Sequence, residues 1–188
     1  MKIATIFGSP RKKGNTARVL GMFEEIVSKA HEVDRINLIS HKVNGCLGCG
    51  KCREVIDKPG CIQKDDALSI FERIMNSDAL VYASPLYCWS FSAQMKALID
   101  RHYCVVKGYG TPDYKSLIAG KRTALLVTCA GPIENNADFI QGIFDRVSEY
   151  GQCKVVGKYI LPLCTTPDMI GDEGLGMAKK MAEEIPYS

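Results

Sequence analysis

Five short apolar runs alternate with amphipathic stretches along the whole chain, and this alternation constrains the fold more than any other feature. The runs are Lys2–Phe7, the alternating stretch His31–Ile39, Asp78–Ser84, Arg122–Thr128 and Lys154–Leu161. Each is short and bounded by turn residues or by a polar segment, as strands are. Helical spacing appears between them, most clearly at Val19, Leu20, Phe23, Ile26 and Val27. Further helices are predicted over 66–77, over 91–103 with Ser90 or Ser92 as N-cap, over 137–150 ending at Gly151, and over 172–185. Near-continuous apolar strands alternating with helices imply a parallel sheet covered on both faces. Right-handed crossovers then favour a doubly wound α/β sheet of order 2-1-3-4-5. Ligands of such sheets bind at the carboxyl ends of the strands, here residues 8–16, 84–92 and 128–136. Residues 105–121, rich in glycine, read as a long loop serving as a subunit contact or a lid.

With 188 residues and no linker, repeat or low-complexity tract, residues 1–188 read as a single domain. The formal charge of +3, from 24 basic and 21 acidic residues, is too balanced for a nucleic-acid binder. No apolar run reaches the roughly 18–20 residues of a membrane span. The N-terminal run ends in Gly-Ser-Pro rather than a cleavage site. A soluble, cytoplasmic protein is expected, without a nucleic-acid or membrane partner. Nine cysteines in a reducing compartment then suit metal-binding, catalytic or buried thiols better than disulfides.

The loop after the first strand reads GSPRKKGNT. It matches neither a dinucleotide fingerprint nor a nucleoside-triphosphate loop. It does feed a helix N-terminus, where free backbone N–H groups favour an anion. Ser9 and Thr16 add hydroxyls, Asn15 an amide and Arg11 a charge, a set that suits a terminal phosphate monoester. A merely capped helix start with solvated basic residues is the alternative. The loop after the third strand holds Tyr87, Trp89 and Phe91. Flat rings there suit stacking on a planar ring system, or an oligomer interface. Cys88 between them reads as a packing thiol.

Together, GSPRKKGNT and SPLYCWSFSAQMKALIDR resemble the flavodoxin-like NAD(P)H-dependent FMN reductase family, over nearly the whole chain. The resemblance implies a three-layer sandwich that binds FMN, with Ser9, Arg11, Asn15 and Thr16 on the phosphate. It implies Pro85, Leu86, Tyr87, Trp89 and Ser90 beside the flavin, and Thr128, Cys129 and Gly131 at the edge of its ring system. It also implies an enzyme without a catalytic acid or base of its own. NAD(P)H would be the donor, and a quinone, flavin, nitroaromatic or similar small molecule the acceptor. A homodimer or homotetramer is expected.

One stretch needs more. Cys46, Cys49 and Cys52 recur at three-residue intervals, and Cys61 follows, within a cysteine-rich loop at 43–64. Such a group could hold an iron–sulfur centre, hold zinc, act as redox thiols or fill a small core. Zinc fits less well, because structural zinc usually draws on two separated pairs. Three close thiolates can curl around a cubane, with Gly48 and Gly50 allowing the tight backbone. The motif resembles the iron–sulfur flavoprotein subgroup of the same family. That implies a [4Fe-4S] cluster on these four cysteines and an electron carrier passing electrons from ferredoxin through the cluster to FMN. The spacing from Cys52 to Cys61 is longer than is usual in that subgroup, which leaves the scaffold reading open. Cys104, Cys129, Cys153 and Cys164 read as buried, and His102 as structural.

Overall fold

The computed structural model describes residues 1–187. Its elements run in the order β1 (Lys2–Phe7), α1 (Asn15–Val27), β2 (Glu32–Asn37), α2 (Ala67–Met75), β3 (Ala79–Pro85) and α3 (Ala93–Asp100). Then come β4 (Val106–Lys107), β5 (Lys115–Ser116), β6 (Arg122–Thr128), α4 (Asp138–Tyr150), β7 (Lys154–Leu161) and α5 (Gly171–Glu184). The five long strands form one parallel sheet of order β2-β1-β3-β6-β7. With the two short strands set aside, this is the expected 2-1-3-4-5 order.

Side chains on successive strand residues point to opposite faces, and each face has its own core. On one face Ile3, Phe7, Val81 and Leu126 meet Val19, Leu20 and Phe23 of α1 and Met181 of α5. On the other, Ile6, Leu80, Tyr82 and Leu125 meet Ile70 and Phe71 of α2, Leu98 of α3 and Phe144 of α4. Each large apolar side chain so buried stabilises the fold by about 1.5–3 kcal/mol. Among the described residues no helix is long and apolar enough to cross a membrane.

Four local expectations differ. Helix α1 begins at Asn15, so its first turn lies inside the loop after β1. Of the two serines, Ser92 is the N-cap of α3, its hydroxyl accepting from Met95 N at 3.3 Å. After Asp100 that helix tightens into a 3₁₀ turn over Arg101–Cys104. Residues 105–121 contain the β4–β5 antiparallel hairpin, which packs beside the cysteine loop: Lys107 Nζ donates to Cys104 O at 2.8 Å and to Cys52 O at 3.4 Å. Gly151 stays right-handed after α4, and the left-handed residue is Gln152, at φ 52°.

Candidate functional site

Ser9, Arg11, Asn15 and Thr16 meet Pro85, Leu86 and Tyr87 across one open cleft of about 470 Å³ at the carboxyl edge of the sheet. Thr128 and Cys129 close a third side. The volume is in the range of small-ligand sites. Three expected residues stand apart from this wall: Trp89, Ser90 and Gly131 do not line the cleft. A fourth wall, Cys164, Thr165 and Pro167, escaped the sequence reading. The only sequence signal was that the segment follows the last strand at the same edge.

The first loop is held from beneath. Gly8 lies so close to α3 that a Cβ on it would sit 2.8 Å from Met95 Cβ, so only glycine fits without a shift. Ser9 Oγ accepts from Arg11 N at 3.1 Å, turning the chain toward α1. That helix has Gly14 as its N-cap, which offers no side-chain cap bond, and no acidic residue in its first turn. Its leading N–H groups therefore have no intrahelical acceptor, and Arg11 and Lys13 add positive charge beside them. Thr16 is buried, its hydroxyl 2.7 Å from that of Thr128, so two walls are tied together. Asn15 ties a third: its side-chain amide donates to Cys164 O at 2.8 Å.

The aromatic wall is a tight turn. Tyr87 N and Ser90 N each donate to the other residue's carbonyl at 3.0 Å. The central residues, Cys88 and Trp89, have φ of 46° and 60°. Both are left-handed, the geometry of a type I′ turn, which ordinarily takes Asn-Gly. Tyr87 and Trp89 are exposed, and so is Cys88, which is therefore not a packing thiol. Burial pushes the Cys129 thiol up to about 11 and also raises Cys164. Both remain protonated at neutral pH and are poor nucleophiles.

The four motif cysteines line a second, smaller cavity of about 190 Å³. Cys46 and Cys49 are exposed, while Cys52 and Cys61 are half-buried. Gly48 and Gly50 are left-handed, at φ 64° and 73°, in open space. Glycine serves backbone conformation there, not close approach. Among the described residues no three Cys, His, Asp or Glu side chains converge closely enough to hold a metal ion. The thiols share a cavity without closing on a point. Two groups missed from sequence complete the lining. Cys104 is a fifth, buried cysteine, its thiol pushed up to about 12 by burial. Arg101 is 1% exposed and grips Asp65, itself 0% exposed at its side chain, through two bonds of 2.7 and 3.1 Å. Its Nη1 also donates to Asn44 O at 3.0 Å, fastening the start of the loop. Burial disfavours charge on Asp65, but Arg101 and the Asn44 and Ala67 N–H groups outweigh it and lower its pKa. His102 is structural, bonded to Tyr82 Oη at 3.0 Å in the core.

The residues of the cleft fit a phosphate-bearing planar cofactor: helix N–H groups without an intrahelical acceptor, two cations and the Tyr87 ring. The comparisons agree with that chemistry. Residues 1–137 match the model of the NADPH-dependent FMN reductase family. An iron–sulfur flavoprotein of Archaeoglobus fulgidus is 33% identical over 98% of this chain and 79% of that protein. An iron–sulfur flavoprotein of Methanosarcina thermophila is 36% identical over 54% of this chain, and the match spans only 52% of that relative. In fold, the chain is similar to an NAD(P)H:quinone oxidoreductase from Methanothermobacter marburgensis, with a TM-score of 0.74 at 19% identity and 97% of each chain covered. The chain therefore belongs to the NADPH-dependent FMN reductase family of FMN-dependent NAD(P)H oxidoreductases, and within it to the iron–sulfur flavoprotein subgroup.

Proposed function

We propose that this protein holds FMN in the carboxyl-edge cleft, takes electrons from NAD(P)H and passes them to a small acceptor such as a quinone, a free flavin or a nitroaromatic. The observation that carries this reading is the uncapped N-terminus of α1, facing a cleft with Arg11 on one side and Tyr87 on another. Bound flavin would supply the chemistry, accepting hydride and passing on one electron or two. The chain's own residues bind and orient. Backbone N–H groups of the first turn of α1, with Ser9, Arg11 and Thr16, take the phosphate. Asn15 contributes its backbone there, while its side chain holds the Cys164 segment as the opposite wall. Pro85, Leu86 and Tyr87 flank the ring system, and Thr128 and Cys129 meet its edge. Trp89 and Ser90 shape the rim, and Gly131 supports the turn after β6. In steady-state assays the FMN-loaded protein should oxidise NADH or NADPH with one of these acceptors. No turnover with any of them would overturn the reading.

A second reading is favoured by the cysteine cavity. Four thiols line one cavity beside the buried guanidinium of Arg101, and cysteine is the donor type of an iron–sulfur site, although the four do not converge on one point in this structure. The subgroup relatives are named for such a group. Cys46, Cys49, Cys52 and Cys61 would hold it, and ferredoxin rather than NAD(P)H would then be the electron source. Protein purified without oxygen should carry about four iron and four sulfide per FMN. FMN with no iron would reduce the four cysteines to a scaffold. A homodimer is the expected assembly, and a monomer by light scattering would count against it.

A further inference from the structure

The segment after β7 doubles back on the end of β6. Leu163 N donates to Gly131 O at 3.2 Å, and Cys164 N donates to Cys129 O at 3.0 Å. The bend is made at Leu163, whose φ of 56° is left-handed. A leucine there costs about 1–2 kcal/mol. The residue is exposed, so burial of its side chain does not offset that cost. Backbone strain of this kind clusters at functional sites. What it enforces here is a pair of thiols. The backbone bond between Cys129 and Cys164 sets the two residues at about the 4.7–4.9 Å spacing of neighbouring strands, inside the Cα range that a disulfide spans. Their sulfurs share one neighbour: Leu161 O lies 3.4 Å from Cys164 Sγ and 3.9 Å from Cys129 Sγ. Both residues line the carboxyl-edge cleft, and so far neither thiol has a part there beyond forming a wall.

We propose that Cys129 and Cys164 are a reversible oxidation site, closing to a disulfide under a hydroperoxide and weakening the hold of the cleft on FMN. The effect on FMN rests on the cleft reading given above; the disulfide itself does not. One sulfur attacks the peroxide: an S–O bond forms, the O–O bond breaks, and the departing hydroxide leaves as water with the thiol proton. The second sulfur attacks the resulting sulfenic acid: the S–S bond forms, the S–O bond breaks, and a second water leaves with the second thiol proton. The cysteines lose two electrons and two protons, and the peroxide is reduced to water. Burial holds both thiols protonated at neutral pH, so the first attack is slow and the pair closes only under sustained exposure. Closure draws Cys129 Sγ away from Gly131 O, now 3.3 Å distant, and Cys164 Sγ away from Cys129 O, now 3.6 Å distant. It also moves the segment whose Cys164 carbonyl holds the Asn15 side chain at the first turn of α1. Two walls of the cleft are disturbed by one bond. By linkage, FMN then favours the dithiol by the same factor by which the disulfide disfavours FMN.

The test uses the full chain, reduced and then treated with hydrogen peroxide, with and without FMN. Peptide mapping without reductant should find Cys129 joined to Cys164 in the FMN-free protein and far less of that link in the FMN-loaded protein. Dithiothreitol should undo it. By fluorescence titration the FMN dissociation constant of the oxidised protein should rise about tenfold and return to its starting value on reduction. Cys164→Ser, treated in the same way, should lose this reversible rise. That variant also controls for oxidation at the exposed Cys46, Cys49 and Cys88. If it does not fold, mapping and reversal in the wild type decide. No linked peptide after prolonged oxidation of the FMN-free protein would overturn the proposal, and so would a linked protein that binds FMN as tightly as the reduced one. Reduced wild type that binds no FMN would overturn the cleft reading instead, and the linked peptide would then decide the disulfide alone.

Discussion

The carboxyl-edge cleft and the cysteine cavity are built on opposite principles. The cleft is made from the ends of buried strands and the start of a long helix, and its walls are bonded to each other through Thr16–Thr128 and Asn15–Cys164. Its candidate binding groups are backbone N–H groups, present whenever the helix is. The cavity lies under the connection between β2 and α2, whose regular structure is two short 3₁₀ turns, Leu38–Ser40 and Lys51–Glu54. That loop is fastened at its ends by Asp66 to Lys42 N, Asp65 to Asn44 N, Gln63 to Gly45 O and Arg101 to Asn44 O. Its thiols are gathered but do not converge. The contrast teaches that groups on sheet edges come positioned with the fold, whereas groups on a loop are held only as closely as the loop's own fastenings hold them.

The largest test of this contrast strikes the fastening of the loop. Asp65→Ala strands the buried guanidinium of Arg101 and should cost about 3–5 kcal/mol in urea denaturation. The folded fraction should still bind FMN, because the cleft has its own supports. If FMN affinity fell in step, the two regions would be one unit. The same carboxylate predicts an acid limit. Its pKa is lowered in the folded state, so its contribution is full above the unfolded value of about 3.9 and is lost as pH falls through the folded value. Stability against pH should therefore be flatter below about pH 4 in Asp65→Asn than in wild type.

Arg11→Ala addresses the cleft alone. Losing one charge-assisted bond to phosphate is worth about 1.5–3 kcal/mol. The FMN dissociation constant should rise about 10- to 100-fold by fluorescence titration, with the unfolding midpoint of the FMN-free protein unchanged. The smallest effect concerns the rim. Replacing Cys88-Trp89 by Asn-Gly suits the left-handed turn, where an ordinary residue costs about 1–2 kcal/mol. The double variant should be more stable by that order in the absence of FMN. A loss of stability would mean that the exposed Trp89 ring holds the turn after all.

What could be read from sequence follows the length of the elements. The bounds of β1 and β6 coincide with the apolar runs, because a buried strand of six or seven residues leaves a run of its own; the bounds of β7 coincide too, although only its last three residues are buried. β4 and β5, two residues each, are too short to show a period. That the loop after β1 would line the edge cleft was legible because its residues are contiguous with a helix start. Cys164–Pro167 was not, since only the sheet brings residue 164 beside residue 15. Arg101 read as the end of an amphipathic helix. Its partner Asp65 lies 36 residues away, and nothing in either segment announces that the two would bury each other.

Helix α3 also works as a ruler. At one end Ser92 bonds the carbonyl of Gly8 beneath the first loop, and at the other Arg101 reaches the cysteine cavity. Nine residues at about 1.5 Å each set these points about 13.5 Å apart along the axis. One residue inserted between them would swing Arg101 by about 100° around that axis, away from Asp65 and the cavity. The gap between the two candidate sites is thus written as a count of residues, and a change of phase in this one helix would break it even if every contacting side chain were kept.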